Sequence, residues 1–391
     1  MFSWASAIFG SERNGAEPVT TKSTERGDVG HGGMDSYAFS GMQGWRMTME
    51  DSHMVCTKIP VEGGYLPSGH AIFGVFDGHG GELTSAFAAA NFMPIFSKSL
   101  ALKKYANLKP SDQTSVPGVN MIRVALTETF HIMDMEIRRK QTERNASILA
   151  SVGHDLDRLS ASRMRLERSG STIVVVMVTP SHIICANAGD SRAILKREGR
   201  VLPLSFDHKP NNVPELERIT AAGGYVKSKR VDGDLAVSRG LGDFSYKCTQ
   251  SLSVRNQKVI PHPEFVVYPR DPKRDEFLVL ACDGIWDVAT NQECAQFIDS
   301  LLEEGETDLG LICEEAIDIC LDKNSRDNMT IAMVTFDAAK RARGLSANNA
   351  VWKRRTARQA QKFERSAKMV AKKAAAGVGL NFGTDVPAQA G

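Results

Sequence analysis

The sequence predicts an α+β fold in which antiparallel sheets pack on each other with helices outside, and three observations carry that prediction. Short apolar runs that read as strands recur between about Tyr37 and Phe336: HAIFGVF, STIVVVMV, HIICANA, RAILK, FLVLAC and MTIAMVTF. Stretches with apolar residues at spacings of three and four are interleaved with them, without the strict strand–helix alternation of a parallel sheet. RAILK, REGR and VLPLS read as an antiparallel hairpin about Glu198-Gly199.

Taken in order, residues 1–30 are polar, Gly-rich and aperiodic, a flexible segment apart from the apolar tip of Phe2, Trp4, Ile8 and Phe9, which without basic flanks makes a poor membrane anchor. A single catalytic domain is expected over residues 31–338. Within it the spacing predicts helices over Leu83–Phe96, Val119–Arg139, Pro214–Ala222, Asn291–Leu302 and Leu309–Asp322. Pro214 suits a first helical turn and Gly223-Gly224 its end. Gln141–Glu167 is polar and Arg/Ser-rich, and reads as an exposed helical insertion. Residues 339–391 form a basic tail, helical over about Ala350–Ala376, with Trp352, Phe363 and Val370 as a thin apolar face.

Composition narrows the class. The chain has 391 residues, 42% hydrophobic and 24% charged, enough for one large domain or two ordinary ones. No apolar run reaches the roughly 18 residues of a membrane span, the N-terminus lacks a signal-peptide pattern, and Phe2 excludes N-myristoylation. Seven cysteines without a CxxC pair, several inside apolar runs (Cys185, Cys282, Cys320), read as reduced and buried, which places the protein in cytoplasm or nucleus. From Lys340 onward 12 Lys/Arg face two acids, a balance of +10 in a chain of net charge +2, so the rest carries −8. The tail either packs on this acidic body or binds acidic partners or anionic lipid, and Lys353, Arg354 and Arg355 also suit nuclear import. Nucleic acid is not expected, since no stacking surface accompanies the charge.

Acids punctuate the strands. Glu50 and Asp51 follow GWRMTM, Asp77 follows AIFGVF, Asp190 follows ICANAG, Asp283 and Asp287 follow FLVLAC, and Asp327 precedes MTIAMVTF. Each alone is an ordinary turn residue. Together at one edge they would repel unless a cation sat among them. An all-oxygen donor set suits Mg²⁺ or Mn²⁺ and not Zn²⁺. Gly78 and Gly284 would let the backbone turn sharply, and Gly78 would also bring its carbonyl onto a metal. Two such ions about 3.5 to 4 Å apart can lower the pKa of a shared water toward neutral and so generate hydroxide for attack on phosphorus. Arg46 has the fork to grip phosphate oxygens, and His79 is placed to protonate a leaving alkoxide, although each has a bland alternative as a surface ion pair or loop histidine.

The ordered phrases GMQGWRMTMEDSH, VFDGHGG, SGSTIVVVMV, ANAGDSRAIL, DHKPNNVPELERITAAGG, VDGDLAVSRGLGDFSYK, PHPE, LACDGIWDV and SRDNMTIAMV, spanning about Gly41 to Val334, resemble the successive motifs of the metal-dependent protein phosphatases of type 2C. The resemblance implies a β-sandwich of two antiparallel sheets flanked by helices, with a binuclear metal cleft at one end. It also implies a monomeric Ser/Thr phosphatase that acts on phosphoproteins by direct attack of a metal-bridging hydroxide, with no phosphoenzyme. Asp77 would bridge both metals. Asp283 and Asp327 would complete the first, and Glu50 with the carbonyl of Gly78 the second. Asp51 would bind metal-bound water, Arg46 the substrate phosphate, and His79 would be the general acid. Asp190, Asp283 and Asp287 would hold a third, weaker ion. Asp207 to about Val237 would form the flap beside the cleft.

The departures are few. Three residues, where the family has two, separate Arg46 from Glu50; Gly80-Gly81 replaces Ala-Gly; Ile173 replaces Ala; and Gln141–Glu167 is long. A phosphoprotein-binding scaffold and a metal-dependent nuclease stand as rivals, the first opposed by the full ligand set and the second by the acidic body. No cysteine sits in a Cys-x5-Arg loop, which sets a thiol phosphatase aside.

Overall fold

Two antiparallel sheets stacked between helical layers organise the computed structural model, which describes residues 17–151, 166–339, 351–361 and 364. The strands are β1 (Val19–His31), β2 (Met34–Gly44), β3 (Ser52–Cys56), β4 (Ala71–Phe76), β5 (Ile173–Val178), β6 (His182–Ala188), β7 (Arg192–Arg197), β8 (Arg200–Pro203), β9 (Glu264–Pro269), β10 (Asp275–Ala281) and β11 (Met329–Phe336). One sheet has the order β1-β2-β11-β10-β7-β8 and the other β9-β6-β5-β4-β3. The main helices are α1 (Leu83–Phe96), α2 (Leu100–Ala106), α3 (Val116–Ala150), α4 (Val213–Ala221), α5 (Asp283–Trp286), α6 (Asn291–Glu303) and α7 (Leu309–Asp322).

This layering explains why the central strands read as unbroken apolar runs. Side chains alternate between faces along a strand, but here both faces are covered. In β5, Ile173, Val175 and Met177 pack under α1 and α3, while Val174, Val176 and Val178 meet the opposite sheet. In β11, Met329, Ile331 and Met333 face α6 and α7, while Ala332, Val334 and Phe336 face the inter-sheet core. The hairpin between β7 and β8 closes at Glu198 and Gly199, both with left-handed φ (47° and 75°), as the tight turn requires.

Several expectations need correction. Residues 1–30 are not flexible throughout: Val19–His31 is strand β1, paired with β2 from Val19 opposite Gly44 to His31 opposite Met34. It escaped the reading because an edge strand keeps charged residues outward, and here Lys22 and Arg26 pair with Asp318, Asp308 and Glu314 of or next to α7. The tip of Phe2, Trp4, Ile8 and Phe9 lies outside the described residues. Gln141–Glu167 does not begin a separate insertion, because residues 141–150 continue α3 and Gln141 is buried, donating to Ser169 O at 2.7 Å. Residues 152–165 lie outside the described residues.

In the tail, residues 351–361 are helical and lie against α6 and α7. Val351 is fully buried, whereas Trp352, the one described residue of the expected apolar face, is 56% exposed. Arg355 and Arg358 converge instead on Glu315, at 3.2 and 2.5 Å, and Arg354 pairs with Glu304. Phe363 and Val370 lie outside the described side chains. All seven cysteines are free thiols. Among the described residues no helix is long and apolar enough to cross a membrane.

Candidate active site

Antiparallel pairing puts strand ends and strand starts at the same edge, and here it gathers the acids. β4 ends just before Asp77, β10 and β6 end two residues before Asp283 and Asp190, and β3 and β11 start just after Asp51 and Asn328. A cavity of about 80 Å³ opens at this end, lined by Arg46, Asp77, Gly78, His79, Asp190, Asp283 and Asp327, with Leu235 to Val237 of the flap across from them. In the flap Ile219, Val231, Leu235 and Val237 form a small core with Val259 from the chain that follows, so its lip is a packed element.

Ligand atoms of Asp77, Asp190 and Asp283 lie within 4.8 Å of one another, and so do those of Asp51, Asp77 and Cys282. Asp77 belongs to both groups. Burial first, then the charges of Asp283, Asp51, Asp327 and Asp190, drive the Asp77 carboxyl well above its usual range. Asp283 is driven up likewise, by burial and then by Asp190 and Asp327. Burial pushes Asp51 up to about 7 although Thr330 donates to its Oδ2 at 2.7 Å, and its Oδ1 is buried with no hydrogen-bond partner. Carboxylates crowded in this way and an orphaned oxygen are what a hard divalent cation would satisfy, so the residues present fit Mg²⁺ or Mn²⁺. The buried Cys282 thiol is pushed well up, stays neutral, and accepts from Thr330 N at 3.1 Å.

The Asp-Gly phrase has a steric reason. Neither Gly78 nor Gly284 has a left-handed φ, so the expected sharp turn is not their purpose. A Cβ on Gly78 would come within 2.2 Å of Glu50 O, and one on Gly284 within 2.0 Å of Asn328 O. Each glycine lets the acid-bearing segment of one strand lie directly on that of another.

Arg46 reaches the cavity on the loop after β2, where its guanidinium pairs with Asp327 and that carboxylate helps hold it charged against the effect of burial. Asn328 clamps this loop: its Nδ2 donates to Gln43 O and Thr48 O, and its Oδ1 accepts from Glu50 N, all at 2.9 Å. The Glu50 backbone is thereby fixed, but its carboxylate takes the Thr48 hydroxyl at 2.9 Å and joins neither close group. Asp287, raised by burial and neighbouring acids, also lies outside both groups.

His79 is held by a residue the sequence did not single out. Its Nε2 lies 2.9 Å from both oxygens of Asp243, and this carboxylate keeps the imidazole above its ordinary pKa although burial works the other way. A Cβ on Gly170 would collide with Asp243 Oδ2 at 2.2 Å and His79 Nε2 at 2.4 Å, which explains the glycine of the SGST phrase. A second omission is Lys209, which contacts Asp190 and whose ammonium is held up by Asp190, Asp283 and Asp287 against burial. Both residues stand inside quoted motifs, GLGD and DHKP. The usable signal was an acid directly after Gly-Leu-Gly, in a position with left-handed φ of 53°.

A family model described as Protein phosphatase 2C matches residues 35–329. Protein phosphatase 1B of Mus musculus is 38% identical over 303 residues, covering 78% of this chain and 70% of that protein. Protein phosphatase 1A of Homo sapiens is 37% identical over 313 residues, covering 79% and 73%. Among solved structures, a serine-threonine phosphatase 2C from Toxoplasma gondii superposes with a TM-score of 0.63 at 20% identity, covering 80% of this chain and 99% of that one. A sex determining protein of C. elegans gives 0.56 at 21%, covering 81% and 66%. At these identities the two structures speak for the fold.

Proposed function

The chain belongs to the protein phosphatase 2C family, and we infer that its acid-lined cleft is where the phosphate ester of a protein serine or threonine is hydrolysed. It is a metal-dependent serine/threonine protein phosphatase. The observation that carries the site assignment is the sharing of Asp77 between two close groups of ligand atoms at the end of the sandwich.

In this reading Asp77, Asp283 and Asp327, with Glu50 and the carbonyl of Gly78, would hold two Mg²⁺ or Mn²⁺ ions, and Asp190, Asp283 and Asp287 a weaker third, although the carboxylates of Glu50, Asp287 and Asp327 stand outside the two close groups. When bound, such ions lower the pKa of water and offset phosphate charge. Asp51 would orient water through its orphaned Oδ1. Arg46 offers a planar fork at the cavity wall and orients two phosphate oxygens. The protonated His79 donates a hydrogen bond from Nε2–H to the Asp243 carboxylate, so its other proton, on Nδ1, is the one passed to the departing serine or threonine oxygen as the P–O bond breaks, leaving a neutral imidazole. Seven free cysteines, five of them buried, support a reducing compartment, cytoplasm or nucleus.

The test is hydrolysis of a phosphothreonine peptide with Mn²⁺ or Mg²⁺, then with chelator, beside Asp283→Asn. Turnover lost in both supports the assignment, and turnover that survives chelation in the folded protein rejects it.

A further inference from the structure

Beside the His79 loop lies a second, larger recess of about 400 Å³, lined by Arg138, Gln141, Asn145, Glu167, Arg168 and Phe244, among others. It adjoins the reaction centre through the chain itself: Phe244 follows Asp243, which holds His79, and Arg168 stands two residues before Gly170, which pairs with His79. Its charge is locally positive in an acidic body. The Arg138 guanidinium stacks on Phe244 at 4.2 Å and is anchored by a bond to Lys247 O at 3.1 Å. Arg168 is exposed and, among the described residues, its side chain has no ion pair or hydrogen bond. The backbone beside it is fixed, since Asn145 exchanges bonds of 2.6 and 3.0 Å with Glu167 N and O, so this free guanidinium sits on a rigid edge. Glu167 does not neutralise it, being occupied by Ser169 N at 3.0 Å and Arg144 at 3.7 Å.

We propose that this groove is a subsite for an acidic side chain of the substrate protein flanking the phosphorylated residue, with Arg168 as its specificity-determining contact and the Phe244-stacked Arg138 as its second cation. The inference rests on the phosphatase reading above and on His79 standing beside the leaving oxygen. The leaving oxygen carries the rest of the substrate chain, so that chain must lead away past His79, where the groove begins. An acidic body repels acidic segments elsewhere, and a local pair of guanidinium groups then selects both the substrate and its register.

The experiment measures kcat/KM of the full chain with Mn²⁺ on phosphothreonine peptides of neutral sequence, carrying one glutamate at successive positions either side. The expected result is a preference of roughly 5- to 10-fold for glutamate at one position. It falls to near unity in Arg168→Ala, inverts in Arg168→Glu and is kept in Arg168→Lys. A wild-type profile without positional preference, or one that survives Arg168→Glu, overturns the proposal. If the wild type turns over neither the peptides nor p-nitrophenyl phosphate, the phosphatase reading itself falls, and this inference with it.

Discussion

Both carboxylate oxygens of Asp243 lie 2.9 Å from Nε2 of His79. The carboxylate is 5% exposed and its residue adopts a left-handed backbone, so the pair is built into the fold and is not a chance surface bridge. Such a contact fixes the ring and favours its protonated form.

Asp243→Asn is therefore expected to lower kcat on phosphothreonine peptides by about 10- to 100-fold, part of the roughly 10²- to 10⁴-fold that a positioned acid supplies. Its effect on p-nitrophenyl phosphate should be much smaller, because that leaving group needs no proton. Comparing the two substrates in wild type and variant checks this, and an equal loss on both would point to a merely structural role.

Gly170→Ala should reproduce that substrate-dependent pattern. The added methyl would occupy space between Asp243 and His79, and overpacking of this kind costs about 1 to 3 kcal/mol. The variant is expected to fold with a lower melting temperature, and calorimetry with the same two substrates reads both effects.

How much of this was legible from sequence depended on the range of the interaction. The strand-Asp-Gly phrases could be read because each strand is buried on both faces and its acid follows at once in the chain. The pairing of His79 with Asp243 spans 164 residues, and no local pattern marks it. β1 was hidden for a different reason: its exposed positions are charged and glycines interrupt it, so only its pairing with β2 defines it as a strand. In the tail the spacing drew attention to Trp352, whereas the docking is made by Arg355 and Arg358 on Glu315, a carboxylate 1% exposed whose burial is a tertiary property.

Removing both of those guanidinium groups would leave Glu315 buried without a cation. Arg355→Ala with Arg358→Ala is expected to destabilise the fold by roughly 3 to 5 kcal/mol, as breaking a buried pair does. Urea denaturation should show a lower midpoint, with activity at low denaturant retained.

Glu215 at the base of the flap gives the pH prediction. It is 2% exposed and accepts from Arg239 at 2.6 Å, Arg218 at 2.7 Å and Ser238 at 2.6 Å. Burial alone would raise its carboxyl, but these partners hold it down, from 4.5 to about 2. A depressed carboxylate stabilises fully above its unfolded pKa, and its contribution of roughly 3 kcal/mol is lost as pH falls from about 4.5 through about 2. Glu215→Gln should thus lower the melting temperature at pH 7 and narrow the gap to wild type as the pH approaches 2. A constant gap across that range would contradict the linkage.

The central claim is that Asp77 is the shared anchor of the cation site, and Mn²⁺ binding measured by calorimetry on wild type and on Asp77→Asn tests it most directly. The account predicts two tightly bound Mn²⁺ in the wild type, apart from the weaker third, and the loss of both tight sites in the folded variant. Unchanged stoichiometry and affinity in Asp77→Asn would contradict it.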